Sequence, residues 1–219
     1  DAEIQLIFDS KLGDIIETIG SGNLNIIHET GEKIRITGEY SIDQGNYLFT
    51  LGNLINKSFN LEDGGTITFN DNIEETEINI KGIYSVRASL FDILQDDRFN
   101  DRIPVECQLT LTGNLTNPAI QLGIYLPNAN EETRSYLNSV ISTDDELSRQ
   151  FVSLLVMNSF YASTSSPTAS GSSALSVTTS EMLLNQIGNW LSQISNDFDI
   201  GFLYSPGFNN DINSQEFQI

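Results

Sequence analysis

Polar and apolar residues alternate along most of the first 127 positions. Between Lys33 and Ile42 the apolar set Ile34, Ile36, Tyr40 and Ile42 shares one parity with Gly38, while Lys33, Arg35, Thr37, Glu39 and Ser41 share the other. A period of two marks a strand with one dry face and one wet face. The pattern returns at 24–28, 47–51, 67–69, 78–86, 105–111 and 120–126, with Leu48, Ile83 and Tyr125 among the apolar exceptions on polar parity. Asp43-Gln44-Gly45-Asn46 and Glu62-Asp63-Gly64-Gly65 predict turns, because these residue types accept positive φ. A further stop falls at 113–118, where Pro118 restricts the residue before it. Gly22, Gly38, Gly82 and Gly113 sit inside or at the ends of strand patterns, where glycine marks bulges and bends, and that suits a sheet that curls.

After Pro127 the period changes. The spacing predicts a helix over 130–141, with Tyr136, Leu137, Val140 and Ile141 on one side. Thr143-Asp144-Asp145-Glu146 reads as a capping box, followed by a helix to about Phe160. The Ser/Thr/Ala/Gly run over 162–177 reads as a flexible linker. Thr178-Thr179-Ser180-Glu181 opens another helix, with a stripe of Leu183, Ile187, Trp190, Leu191 and Ile194. Phe198, Ile200, Phe202 and Tyr204 then alternate as a strand, and 216–219 reads as the start of one more, so the chain is expected to be a fragment of a larger protein. The expectation is a mainly β chain with two or three C-terminal helices, divided into 1–127, 128–161, 162–177 and 178–219.

Charge narrows the function. Ten Lys and Arg stand against thirty Asp and Glu, a formal charge of -20. A nucleic-acid surface needs clustered positive charge, and a basic patch for anionic lipid headgroups is disfavoured for the same reason. All the Lys and Arg lie at or before Arg149, so residues 150–219 have only apolar contact or strand pairing with which to bind a partner. No apolar run approaches the roughly 20 residues of a spanning helix, and no signal-peptide pattern is present.

Catalytic signals are poor. The only histidine, His28, falls on the apolar parity of its strand without a partner motif, and reads as structural. The only cysteine, Cys107, falls between Val105 and Leu109 on the inward parity and reads as a buried, inert thiol. Asp92, Asp96, Asp97 and Asp101 cluster before Ile103-Pro104, but they lack the glycine and the regular spacing of a calcium loop. The expectation is no enzyme, no metal and no cofactor.

At least seven strands each carry an apolar face. Fully burying one such side chain contributes about 1.5–3 kcal/mol, so those faces must be covered. Two structures do this. A double-layered β-sandwich fills its interior with its own side chains and is the commoner solution. A single antiparallel sheet folded lengthwise instead leaves a dry trough that can shield acyl chains.

A resemblance changes that balance. Gly38-Glu39-Tyr40-Ser41-Ile42 followed by Gly45-Asn46-Tyr47-Leu48-Phe49 resembles the paired G-x-Y motifs of TamB C-terminal regions. The 59–69 segment is similar to the F-x-hydrophobic…G-x-I-x-F segment, 78–84 resembles the family's strand with Gly82 where alanine is usual, and 111–118 matches L-x-G-x-L-x-x-P. The resemblance covers nearly the whole chain and implies a folded-over sheet, a β-taco, with a hydrophobic lumen. It implies part of a periplasmic bridge from inner to outer membrane in a Gram-negative bacterium, with the inner-membrane anchor outside this segment. The implied work is carriage of phospholipid, or support of outer-membrane protein assembly with a TamA-like barrel of the BamA family, and neither requires catalysis or a cofactor. The motif strands put Ile34, Ile36, Tyr40, Ile78, Ile80, Tyr84, Leu109, Leu111, Ile120, Leu122 and Ile124 on the lumen face, in contact with acyl chains. Phe198, Ile200, Phe202 and Tyr204 become the partner-docking strand, through strand addition at a barrel edge. The competing reading is an acidic β-sandwich binding or adhesion module without a conduit, which should expose aromatics on a polar face.

Overall fold

The computed structural model describes residues 2–9, 14–28, 33–51, 55–161, 201–205 and 217–218. Nine strands, β1 (Ala2–Asp9), β2 (Asp14–Ile27), β3 (Arg35–Leu51), β4 (Ile55–Leu61), β5 (Thr66–Ser89), β6 (Arg102–Asn114), β7 (Ala119–Tyr125), β8 (Gly201–Ser205) and β9 (Phe217–Gln218), form one antiparallel sheet. Their order is β7-β6-β5-β4-β3-β2-β1-β8-β9. Among the described residues three α-helices accompany them, α1 (Phe91–Leu94), α2 (Glu131–Val140) and α3 (Asp144–Met157). The chain is mainly β, as the alternation requires. It divides into two compact units, one of Asp1–Tyr84, Gln108–Gln121 and Ser195–Ile219, the other of Ser85–Cys107 and Leu122–Ile194.

In the first unit the turn expected at 43–46 is absent. β3 runs unbroken through it, and the ladder with β2 passes from Ile19↔Gln44 to Gly20↔Ile42, leaving Asp43 as one extra residue on β3. The sequence carries the reason. Tyr40 and Ile42 are buried at even positions, whereas Tyr47 and Phe49 are buried at odd ones. One inserted residue keeps both halves of the strand facing the same way, so a β-bulge answers the parity switch without ending the strand.

β5 hides a reversal. Its residues Thr66–Asp71 pair antiparallel with Ser41–Ile36 of β3, and Gly82 and Ile83 pair antiparallel with Leu61 and Asn60 of β4. Since β4 also runs antiparallel to β3, the two parts of β5 must run in opposite directions. The chain turns back at Asp71, which has φ 73°. Asn72 Oδ1 accepts from Glu75 N at 3.0 Å, and Asn70 Nδ2 donates to Glu75 O at 3.0 Å, which closes the turn. β4 and the first arm of β5 therefore lie end to end beside β3. They are separated by the loop at 62–65, where Gly64 has φ 84° and its N–H reaches Ile42 O. Ile42 N donates to Gly65 O, and Glu62 N donates to Lys81 O. The bulge at Gly20 and Asp43 and the loop at Glu62–Gly65 thus stand side by side, forming a crease that runs from β2 through β3 to the junction of β4 and β5.

In the second unit α2 starts at Asn130, whose side chain accepts from Thr133 N, with Glu131 and Glu132 in the first turn, where the helix dipole favours them. Thr143 Oγ1 accepts from Glu146 N at 3.2 Å and opens α3 as its capping sequence predicts. Asn158, at φ 54°, ends the helix at Met157, short of Phe160. Gln150 is fully buried; its Nε2 donates to Tyr161 O and its Oε1 accepts from Tyr161 N, which pins the chain after the helix. Ser153 Oγ donates to Ser159 O and fastens the same segment. The expected linker and the helix behind Thr178 lie outside the described residues.

Candidate functional site: the apolar face of the sheet

The inner face of the first unit is built from alternate residues of successive strands. Ile4 and Leu6 of β1, Ile16 of β2, Tyr40 and Ile42 of β3, Phe59 of β4, and Ile67 and Ile80 of β5 are all 1% exposed or less. Leu109 and Leu111 of β6 continue the row. The threonines Thr18, Thr50 and Thr76 are the buried polar residues of this unit among the described residues. Tyr40 is the buried titratable group of this row. Its hydroxyl donates to Ala2 O at 2.8 Å, and Thr18 Oγ1 lies 3.4 Å from it while donating to Ile4 O at 3.0 Å. One phenol therefore ties β3 to β1 across β2. Burial raises its pKa above the ordinary tyrosine value, against the lowering effect of the Thr18 hydrogen bond.

Glycine makes room for this ring. A Cβ at Gly20 would strike the carbonyl of Ser41 and the Tyr40 ring. At Gly38, φ is 129° and a Cβ would collide with the carbonyl of Asn23. Near the crease Tyr47, Phe49, Phe59 and Tyr84 form an aromatic cluster with ring centroids 5.8–6.4 Å apart, and the Lys57 ammonium lies 5.4 Å above the Tyr84 ring. The face offers apolar contact and exclusion of water, with no ionised group among the buried residues named here.

The expected lumen residues fall into two sets. Tyr40, Ile78, Ile80, Leu109 and Leu111 are buried to 3% or less. Ile34, which precedes β3, and Ile36, Tyr84 and Ile120 are half-buried. Ile36 pairs with Ile26 of β2, which is 43% exposed, so the apolar row opens toward that end. Leu122 and Ile124 belong to the second unit and are half-buried there. Of the docking strand, Phe198 and Ile200 lie outside the described residues, while Phe202 and Tyr204 stand in β8 opposite Leu6 and Ile4 of β1. β8 is paired on its other side with β9. Ile4, Leu6, Ile16, Ile67 and Phe69 belong to the row but were absent from the expected set. The alternation of Ile4 and Leu6 against Glu3 and Gln5 was their signal.

Elsewhere the candidates for chemistry resolve into structure. His28 follows the end of β2 and is exposed rather than on a dry face, because the ladder ends at Ile27. Cys107 is buried, and desolvation pushes its thiol up to about 12. In the acidic loop Asp96 binds the Arg98 guanidinium and its N–H, which hold its carboxyl below the usual range; burial raises Asp92. No group of three or more His, Cys, Asp or Glu able to hold a metal occurs among the described residues, and no helix among them is long and apolar enough to cross a membrane.

Fold and face together define a long-stranded antiparallel sheet protein with a continuous apolar row on one face of its first unit. The family model for the TamB C-terminal domain matches residues 1–218, and the chain belongs to that family. This makes it a TamB-like protein of outer-membrane assembly, in a non-enzymatic family of the Gram-negative periplasm that works with a TamA-type partner. No curated protein and no solved structure matches the chain.

Proposed function

We propose that the inner face of the first unit is an acyl-chain groove, through which the protein carries phospholipid between the inner and outer membranes or supports assembly of outer-membrane proteins at a TamA-type barrel. The observation that carries this reading is the gradient along the row. Tyr40 and Ile42 are fully buried, whereas Ile36 and Ile26, further along the same two strands, are half or more open. In a unit whose described elements are strands of one sheet, such burial supports a sheet folded over its own apolar face, with an open margin where an acyl chain enters. β8, with Phe202 and Tyr204, and β9 beside it form the proposed barrel-facing end of the sheet. In this reading 1–127 is the groove, 128–161 a helical segment, 162–177 a linker and 178–219 the partner-docking end.

The test uses a phospholipid carrying a photoreactive acyl chain, in vesicles of phosphatidylethanolamine and phosphatidylglycerol. Ile26→Arg and Ile36→Arg place charge at the open margin, where the guanidinium can reach water, so both variants should fold. Both should cut labelling several-fold, with wild-type adducts mapping to the inner row. Equal labelling of wild type and variants, or adducts confined to the polar face, would refute the groove. Capture of soluble glycan in place of lipid would favour the acidic binding module.

A further inference from the structure

The chain has ten basic residues, and nine lie among the described ones. Arg35, Lys81, Arg98 and Arg134 form ion pairs with Asp71, Glu62, Asp96 and Glu131. Lys57 and Arg149 stand over the rings of Tyr84 and Tyr161. Lys33 stands exposed before β3. Arg87 of β5 and Arg102 of β6 differ from all of these. They are held together, both exposed, with no carboxylate at ion-pair distance among the described residues.

Their backbones fix the pairing. Arg87 Nη2 donates to Arg102 O, and Arg102 donates to Arg87 O through both Nε and Nη2. Arg102 Nη2 also donates to Asn158 O at 3.0 Å, beside the C-terminus of α3, where the helix dipole favours a cation. That accounts for Arg102 and leaves Arg87 without such a reason. Like charges held together on neighbouring strands oppose each other. Each guanidinium carries five N–H donors; Arg87 bonds through one nitrogen and Arg102 through two, so donors on both forks remain for a ligand.

We infer that Arg87 and Arg102 form a binding site for a phosphate-type oxyanion. Two adjacent guanidinium forks match the several acceptor oxygens of a phosphate, and an anion between them turns mutual repulsion into a bridge. The surrounding negative charge weakens the site without removing it, since charges beyond about 10 Å are screened at 0.1 M salt. A dissociation constant in the millimolar range is expected, on the order of 4 kcal/mol. The two arginines are fifteen positions apart, so the sheet creates a patch that composition argued against. Phospholipid headgroups and inorganic phosphate share the chemistry, and the site stands independently of the groove.

The full chain is titrated with inorganic phosphate, and separately with glycerophosphoglycerol as a soluble headgroup, at constant ionic strength set with chloride. Arginine Nε–Hε resonances are followed by NMR. Saturable shifts at Arg87 and Arg102, absent at Arg35 and Arg149, are expected. Arg87→Gln should weaken binding about tenfold, the scale of one lost charge-assisted pair, with Tm unchanged or raised because a like charge is gone. If that variant misfolds, Arg87→Lys keeps the charge without the fork and should bind several-fold more weakly than wild type. Tighter binding of the headgroup identifies a lipid source, and tighter binding of phosphate a free ion; either supports the site. Equal shifts at all arginines, no saturation with either probe, or unchanged affinity in the folded variant would overturn it.

Discussion

Deleting Asp43 is the sharpest test of how the sheet is built. The residue is exposed and supplies the one extra position that lets Tyr40 and Ile42 share a face with Tyr47 and Phe49. Without it, one half of β3 must turn over. Either Tyr40 and Ile42 or Tyr47 and Phe49 then move to the wet face, and all four are now 7% exposed or less. Two large side chains at about 1.5–3 kcal/mol each give a loss of about 3–6 kcal/mol. That is much of the ~5–15 kcal/mol typical of a whole domain. Asp43→Ala keeps the count and removes only an exposed side chain, so it should stay within about 0.5 kcal/mol of wild type. Inserting alanine after Gln44 in the deletion background restores the count one position along and should recover most of the loss. Urea unfolding followed by circular dichroism measures all three. A deletion that costs less than about 1 kcal/mol would mean that the bulge does not set the facing of β3, and the reasoning would fall.

Three further outcomes follow from single groups. Tyr40→Phe keeps the ring over Gly20 and loses the hydrogen bond to Ala2 O, which should cost about 1 kcal/mol in urea titrations; hydrogen exchange should rise first in β1. Gln150→Leu fits the space but removes the buried hydrogen bonds from Gln150 to Tyr161 N and O, so a loss of about 1–3 kcal/mol and faster proteolysis after Met157 are expected, and an unchanged Tm would contradict the pinning role. The Cys107 thiol, pushed up to about 12 from an ordinary 9.0, keeps its proton in the folded state while the unfolded chain loses it. Stability should therefore fall as pH rises through that window, by up to about 1.4 kcal/mol per unit, and Cys107→Ala should flatten the slope when both proteins are compared at pH 8 and 11.

Most of the fold was legible because alternation reports one variable, which face a residue takes. Val105, Cys107, Leu109 and Leu111 show it plainly, and all four are buried. What alternation does not report is whether a parity switch is met by a turn or by a bulge. At 43–46 the residue types allowed both, and the decision lay in β2, whose unbroken partner strand holds β3 straight. The switch between Phe69 and Ile78 was met by a real reversal, because Asn70 and Asn72 supply the side-chain bonds that close it. Burial depth was equally hidden. Ile36 and Tyr40 share a parity, yet only Tyr40 has the Gly20 hollow and the Ala2 carbonyl waiting for it. Helix ends were readable where a cap is local, as at Thr143, and misplaced at Phe160, where Asn158 stops α3 in a left-handed conformation.

The crease has a consequence for how such a sheet can vary between relatives. Because the bulge at Gly20 and Asp43 and the loop at Glu62–Gly65 lie abreast and bond to one another through Ile42, no strand can gain or lose a residue there alone without losing step with its neighbours. Insertions and deletions across this line should arrive in matched sets, or be confined to the chain reversals at the sheet's ends.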